Sequence, residues 1–196
     1  MSTDNILLLG EGNFSFTRSL CASLLHSATH SLTNSSDSTP THTHTHTHQH
    51  YHITATSYDP EAAITEKYPE AKAHFSFLHS KCPHTVLLHG IDALESLSTQ
   101  LHSHTHSHTH SHTQCQSQCS FPLQQYIIFN FPHIGKEDCH LHKSFLGHLL
   151  HRVKEILAPG GLFYLTLADG QAHNWCLSEM VSRQGFQQVK SFSFVP

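Results

Sequence analysis

The chain has 196 residues, room for one α/β domain with a core of its own. Ten Lys and Arg against fourteen Asp and Glu give a formal charge of -4 with no basic run, which argues against a protein that grips nucleic acid unaided. The apolar fraction is only 37% because histidine is so abundant, 24 residues in all, and no apolar stretch approaches membrane-spanning length.

Ile6-Leu7-Leu8-Leu9 reads as a buried parallel strand, and it runs into the turn Gly10-Glu11-Gly12-Asn13. Glycine has no Cβ, so such a turn can be sharp and a ligand can come close. Ser15 to Leu25 has helical spacing through Phe16, Leu20, Leu24 and Leu25. Ser27 to His52 is Ser, Thr and His without apolar period and cannot build a core. A second strand spans Ile53 to Tyr58 and ends at Asp59; Pro60 then opens a helix to Tyr68. Thr85 to Leu88 is a third strand, followed by Gly90-Ile91-Asp92 and a helix over Ala93 to Leu101. A second His-rich stretch fills His102 to Cys119. Tyr126 to Asn130 is a fourth strand, ending in the turn Phe131-Pro132-His133-Ile134-Gly135. A helix over Lys143 to Leu157, a strand over Leu162 to Leu167, a helix over Asn174 to Gln184 and a last strand over Phe186 to Val195 complete the pattern. Strand and helix alternate throughout, which predicts a doubly wound, mostly parallel sheet in a single domain over 1–196.

The two His-rich stretches, 30–52 and 102–119, each follow a helix and precede a strand. Ligands of such a sheet bind at the carboxyl ends of the strands, so these insertions fall at the far edge from a cofactor. Their Thr-His and Ser-His repeats match what an ACACAC dinucleotide repeat encodes, and loop length costs little entropy. Alternating histidines in extended chain would also chelate zinc, nickel or copper adventitiously. Asp59 lies 47 residues after Gly12; with the 23 residues 30–52 set aside the interval is 24. That is near the roughly 20 residues between a glycine turn and the acid that binds ribose hydroxyls. The N-terminus lacks the basic region of a secretory signal, so the six cysteines are expected as reduced thiols in an intracellular protein. Cys115 and Cys119 are spaced more loosely than a zinc knuckle, and no resident metal is expected.

Five strings, in order, carry a resemblance: Leu8 to Phe16, Ala55 to Asp59, Gly90 to Ala93, Phe129 to Gly135, and Pro159-Gly160-Gly161 with the strand leading to Gln171 and Trp175. Together they resemble the Rossmann-like methyltransferase family typified by the yeast 25S ribosomal RNA uridine-N3 methyltransferase. A similar domain precedes a ferredoxin-fold anticodon-binding domain in some animal relatives. The resemblance implies S-adenosylmethionine as cofactor, RNA as substrate and a nucleolar place of action, with the cytoplasm as the alternative. It implies that Gly10, Glu11 and Gly12 pass beneath the methionine moiety, that Asp59 accepts bonds from the ribose and that Asp92 sits near the adenine. Asn130 would bond the base edge, Phe131 and Pro132 would hold the substrate base, and His133, the titratable group of that turn, would take the uridine N3 proton. Each residue has a plainer role open to it: Asp59 and Asp92 as helix or turn caps, His133 as a turn residue, and Trp175 as core. The chain departs from the family's pattern at Gln125, where Asp is usual. It departs again at Cys139 to His142, where an Asn-rich helix start is usual, and at its stop at Pro196, which is expected to cost the sheet its final strand. Two other readings stay open: a non-catalytic RNA- or tRNA-associated module with a relic cofactor pocket, and a His-rich metal-binding protein.

Overall fold

A computed structural model describes residues 3–33, 50–106 and 121–193. Five strands form one sheet in the order β3-β2-β1-β4-β5, with every pairing parallel. They are β1 (Thr3–Leu9), β2 (His50–Ser57), β3 (Thr85–His89), β4 (Gln124–Asn130) and β5 (Leu157–Thr166). The helices between them are α1 (Ser15–Thr33), α2 (Glu61–Lys67), α3 (Ala71–Lys81), α4 (Leu97–His106), α5 (Cys139–Ile156), α6 (Gln171–Asn174) and α7 (Leu177–Arg183). This is the expected Rossmann-like methyltransferase architecture.

The β1 sequence explains why both faces are covered. Successive side chains alternate across a strand, so Leu7 and Leu9 enter one core and Ile6 and Leu8 the other. The first core joins Ile127 and Phe129 to Leu97 and Leu101 of α4, Leu146 and Leu149 of α5 and Met180 of α7. The second joins Ile53 and Ala55 to Phe14, Cys21 of α1, and Phe75 and Leu78 of α3. Asn5 at the start of β1 donates its backbone N–H to Gln125 Oε1 (2.7 Å), so the departure at Gln125 ties β1 to β4.

The chain winds from β1 through β2 to β3 on one side, then crosses back to β4 and β5 on the other. The winding reverses between β1 and β4, the place where open α/β sheets bind ligands.

Several expectations are corrected, among them the start of α4, which is Leu97 and not Ala93, and of β5, which is Leu157 and not Leu162. β2 begins at His50, not Ile53, because Thr3 to Asn5 extend the ladder opposite His50 to His52. The segment 71–81, left unassigned, is α3, whose buried Ala71, Phe75 and Leu78 lie on one helical face. The helix expected over Asn174 to Gln184 is two short ones, broken at Cys176, which holds a positive φ of 53°. The last strand does not form over residues 186–193. Phe186, Val189 and Phe192 recur every third residue, so a strand would send them to alternating faces. Val189 and Phe192 are 78% and 73% exposed. Both His-rich insertions give residues to their neighbours, 30–33 to α1, 50–52 to β2 and 102–106 to α4; their remainder, 34–49 and 107–119 with Cys115 and Cys119, lies outside the described residues, as do Ser120 and Phe194 to Pro196. Cys21, Cys82, Cys139 and Cys176 are free thiols, no helix among the described residues is long and apolar enough to cross a membrane, and no three metal-ligating side chains cluster among them.

Candidate functional site

Three turns meet at the carboxyl ends of β1, β2 and β4. The turn after β1 is tightly held. Gly10 has a φ of +67°, and a Cβ there would come within 2.3 Å of the Phe129 ring, so packing alone demands glycine. Gly12 is exposed and a Cβ there would meet only Tyr68 at 3.9 Å, so packing does not demand it. Between them, Glu11 is buried and turned toward α1. The Thr17 backbone N–H and hydroxyl both donate to its Oε2, at 3.1 and 2.8 Å. This is a carboxylate satisfying the orphan donors of a helix start. Burial pushes the Glu11 carboxyl up from its ordinary range, against the pull of the two Thr17 bonds. Asn13 accepts from Ser15 N–H, donates to Glu70 Oε1, and its carbonyl receives the His74 Nδ1–H (2.8 Å). Phe14 is fully buried at a φ of 61°, edge-on to Phe75 and His89.

At the end of β2, Asp59 stands immediately before α2. The residue capping that helix is Pro60, with no side-chain bond. Capping therefore does not explain Asp59, and no donor among the described residues reaches its carboxylate. Its backbone carbonyl accepts the Ser57 hydroxyl proton (2.8 Å), and His89 Nδ1 bonds the same Ser57 oxygen (2.8 Å). After β3, Asp92 is held differently. Gln100 clamps its backbone N–H and carbonyl at 3.0 and 2.8 Å, and its Oδ1 accepts Leu94 N–H (2.8 Å), leaving Oδ2 open.

The turn after β4 is the open one. Asn130 ends the strand beside Thr166 of β5, whose hydroxyl donates to Asn130 Oδ1 at 2.7 Å. With its oxygen engaged, the amide offers two N–H donors. Phe131 has a φ of 50° and is 57% exposed; Pro132 is buried and shapes the turn. His133 is exposed, and its Nδ1 accepts the Gly135 backbone N–H at 2.8 Å. An acceptor at Nδ1 places the proton of the neutral ring on Nε2, so His133 presents a donor.

Beneath this turn lies a pair of buried rings, one of them, Trp175, in the core role open to it from the sequence. His142 of α5 is 1% exposed and stacks on the buried Trp175 with ring centroids 4.0 Å apart and an 8° tilt. His133 lies 4.9 Å from the same imidazole. The departure at Cys139 to His142 was the signal available; nothing in the sequence flagged Thr166. The three non-glycine residues with positive φ among the described residues are Phe14, Phe131 and Cys176. Each stands in a turn of this region or next to Trp175, and such strain gathers where a site is over-determined by its surroundings.

Comparison with known proteins bears on this architecture. The chain is 28% identical over 206 residues to the uncharacterized protein At4g26485 of Arabidopsis thaliana, covering 98% of this chain and 77% of that protein. It is 29% identical over 194 residues to the heavy metal-associated isoprenylated plant protein 41 of the same plant, covering 93% of this chain but only 29% of that longer protein. The family model described as "rRNA (uridine-N3-)-methyltransferase BTM5-like" matches residues 7–196. With both diagnostic turns in place at the switch point and nearly the whole chain matched, this chain belongs to the BMT5-like family of rRNA (uridine-N3-)-methyltransferases.

Proposed function

We propose that the chain is an S-adenosylmethionine-dependent methyltransferase acting on uridine N3 of large-subunit ribosomal RNA, in the nucleolus. The observation that carries this reading is the free carboxylate of Asp59 after β2, the strand next to β1 with its uncrowded Gly12, with β4 and its Asn130–His133 turn on the other side of β1. These residues fit an adenosyl sulfonium. Asp59 would take the ribose hydroxyls, the Gly10-Glu11-Gly12 backbone would run beneath the methionine moiety, and Asp92 Oδ2 would lie toward the adenine. Glu11 then acts by holding the turn to α1, since its Oε2 is engaged there. When bound, the cofactor supplies an electrophilic methyl group.

The chain's own part is positioning. Uracil presents acceptor, donor, acceptor along its pairing edge. The Asn130 amide and the His133 Nε2–H are both donors and suit its two carbonyl oxygens. Hydrogen bonds at those oxygens stabilise the charge that develops as N3 loses its proton. The exposed Phe131 ring suits stacking on a base drawn out of its helix, a contact worth about 1–3 kcal/mol. A formal charge of -4 leaves little for phosphate binding, so a second chain or further segment would supply part of the grip on rRNA, or on tRNA if that is the substrate.

Calorimetry with S-adenosylmethionine on the full chain, in the presence of chelator, tests the pocket. Micromolar binding that Asp59→Ala weakens at least tenfold is expected. A folded chain that does not bind contradicts the proposal.

A further inference from the structure

Among the described residues, one buried side-chain polar atom has no hydrogen-bond partner, and it is Nε2 of His142. Buried polar groups are normally satisfied, and leaving one unpaired costs about 1–3 kcal/mol. The state of that nitrogen follows from the other. His142 Nδ1 lies 2.8 Å from the Asp138 carbonyl oxygen, which can only accept, so Nδ1 carries the proton and Nε2 of the neutral ring is a bare lone pair. His133 is wired in the opposite sense, its lone pair spent on Gly135 N–H. The turn at the end of β4 therefore combines an exposed donor with a buried acceptor, their rings 4.9 Å apart.

We infer that His142, rather than His133, is the general base of the methyl transfer proposed above. The inference rests on that reading. In the step, the Phe131–Gly135 turn moves as a unit to admit one water to His142 Nε2, which takes the proton from uracil N3 through it, while His133, its Nδ1 still on Gly135 N–H, donates Nε2–H to a uracil oxygen. The electron pair of the N3–H bond stays on N3 and forms the new N3–CH3 bond. The methyl leaves the sulfonium, whose C–S electrons return to sulfur as a neutral thioether, and the proton ends on imidazolium. Charging a buried ring in the first turn of α5 is costly, and three groups offset that cost. The Asp138 carbonyl accepts from Nδ1–H, the indole face of Trp175 lies parallel at 4.0 Å, and the Asp138 carboxylate heads the same helix. His133 packs against His142 from the turn and Asp138 faces it from the head of α5, with Cys139, His140 and Lys143 flanking it on the helix and Cys176 next to Trp175. A base oriented by a third group through its far nitrogen is the arrangement that proton abstraction requires.

The test uses His142→Asn, whose amide can keep the bond to the Asp138 carbonyl while removing Nε2, alongside His133→Gln. Methyl transfer from S-adenosylmethionine to large-subunit rRNA is followed as 3-methyluridine across pH. Expected is a 100- to 10,000-fold fall in kcat for His142→Asn with S-adenosylmethionine affinity unchanged. The wild-type loss of rate on the acid side is expected to persist in His133→Gln and vanish in His142→Asn. A His142→Asn rate within threefold of wild type, or an acid limb lost only with His133, overturns the assignment. Independently of turnover, long-range proton–nitrogen NMR of the unliganded chain should show His142 unprotonated at Nε2 and His133 unprotonated at Nδ1; a proton on His142 Nε2 overturns it too. A wild-type chain that binds S-adenosylmethionine but transfers nothing to uridine removes the reading beneath it, while a transfer-competent chain indifferent to His142 removes this inference alone.

Discussion

The turns after β1 and after β4 flank the same crevice, and both carry a phenylalanine in left-handed backbone, Phe14 at a φ of 61° and Phe131 at 50°. Their rings part company: Phe14 is fully buried, Phe131 is 57% exposed. In the first turn the polar side chains are engaged within the protein, Glu11 on Thr17 of α1 and Asn13 on Ser15 and Glu70. In the second, Thr166 and Gly135 occupy one side of Asn130 and His133 and leave donors facing out. The same left-handed backbone thus buries a ring in one turn and exposes one in the other.

The sharpest way to break this contrast is to truncate both rings. Phe14→Ala should cost about 3–5 kcal/mol in chemical denaturation, the range for emptying a large core site. Phe131→Ala should stay within about 0.5 kcal/mol of wild type, as an exposed position does, while weakening binding of a uridine-containing RNA by about 1–3 kcal/mol. Equal destabilisation by the two would end the distinction. Next in size, Thr166→Val should lower kcat about tenfold by freeing the Asn130 amide to rotate, with S-adenosylmethionine affinity unchanged, since one neutral hydrogen bond is worth about 1 kcal/mol. A loss of cofactor binding instead would mean that Asn130 belongs to the other half of the crevice.

The smallest effect concerns Glu11. Its folded-state carboxyl is raised above the ordinary value of 4.5 by burial. A raised acid favours the folded state below its unfolded pKa, and that contribution is lost as pH rises through the folded one. Glu11→Gln keeps an acceptor for Thr17 and removes this loss. Melts from pH 4 to 8 should therefore show the variant matching wild type at the acid end and keeping or gaining stability at neutral pH. A variant that is weaker only at neutral pH would show that the ionised carboxylate, with its two Thr17 bonds, is what secures the turn.

The sheet was legible because β1 and β4 hold the continuous apolar runs Ile6–Leu9 and Tyr126–Phe129 closed by turn residues, the pattern of strands buried on both faces. The first turn was legible as glycine chemistry, although Gly10 answers to the Phe129 ring as much as to any ligand. Histidine concealed the rest. In a chain with 24 of them, His74 and His142 carried no signal of burial, yet both are buried. Counting His74 as apolar would have completed the face of α3, and counting His142 so would have carried the buried stripe of α5 one turn further toward the site. Thr166 was out of reach for a different reason. Its bond to Asn130 spans 36 residues and exists only because β5 lies beside β4.

The measurement that bears most directly on the account is methyl transfer itself. The full chain, S-adenosylmethionine with an isotopically labelled methyl group and large-subunit rRNA would be incubated, the RNA digested to nucleosides and the label located by mass spectrometry. The account predicts label in 3-methyluridine, and its loss with Asp59→Ala. Label in another nucleoside, or a folded chain that binds S-adenosylmethionine and leaves the RNA unlabelled, would contradict it.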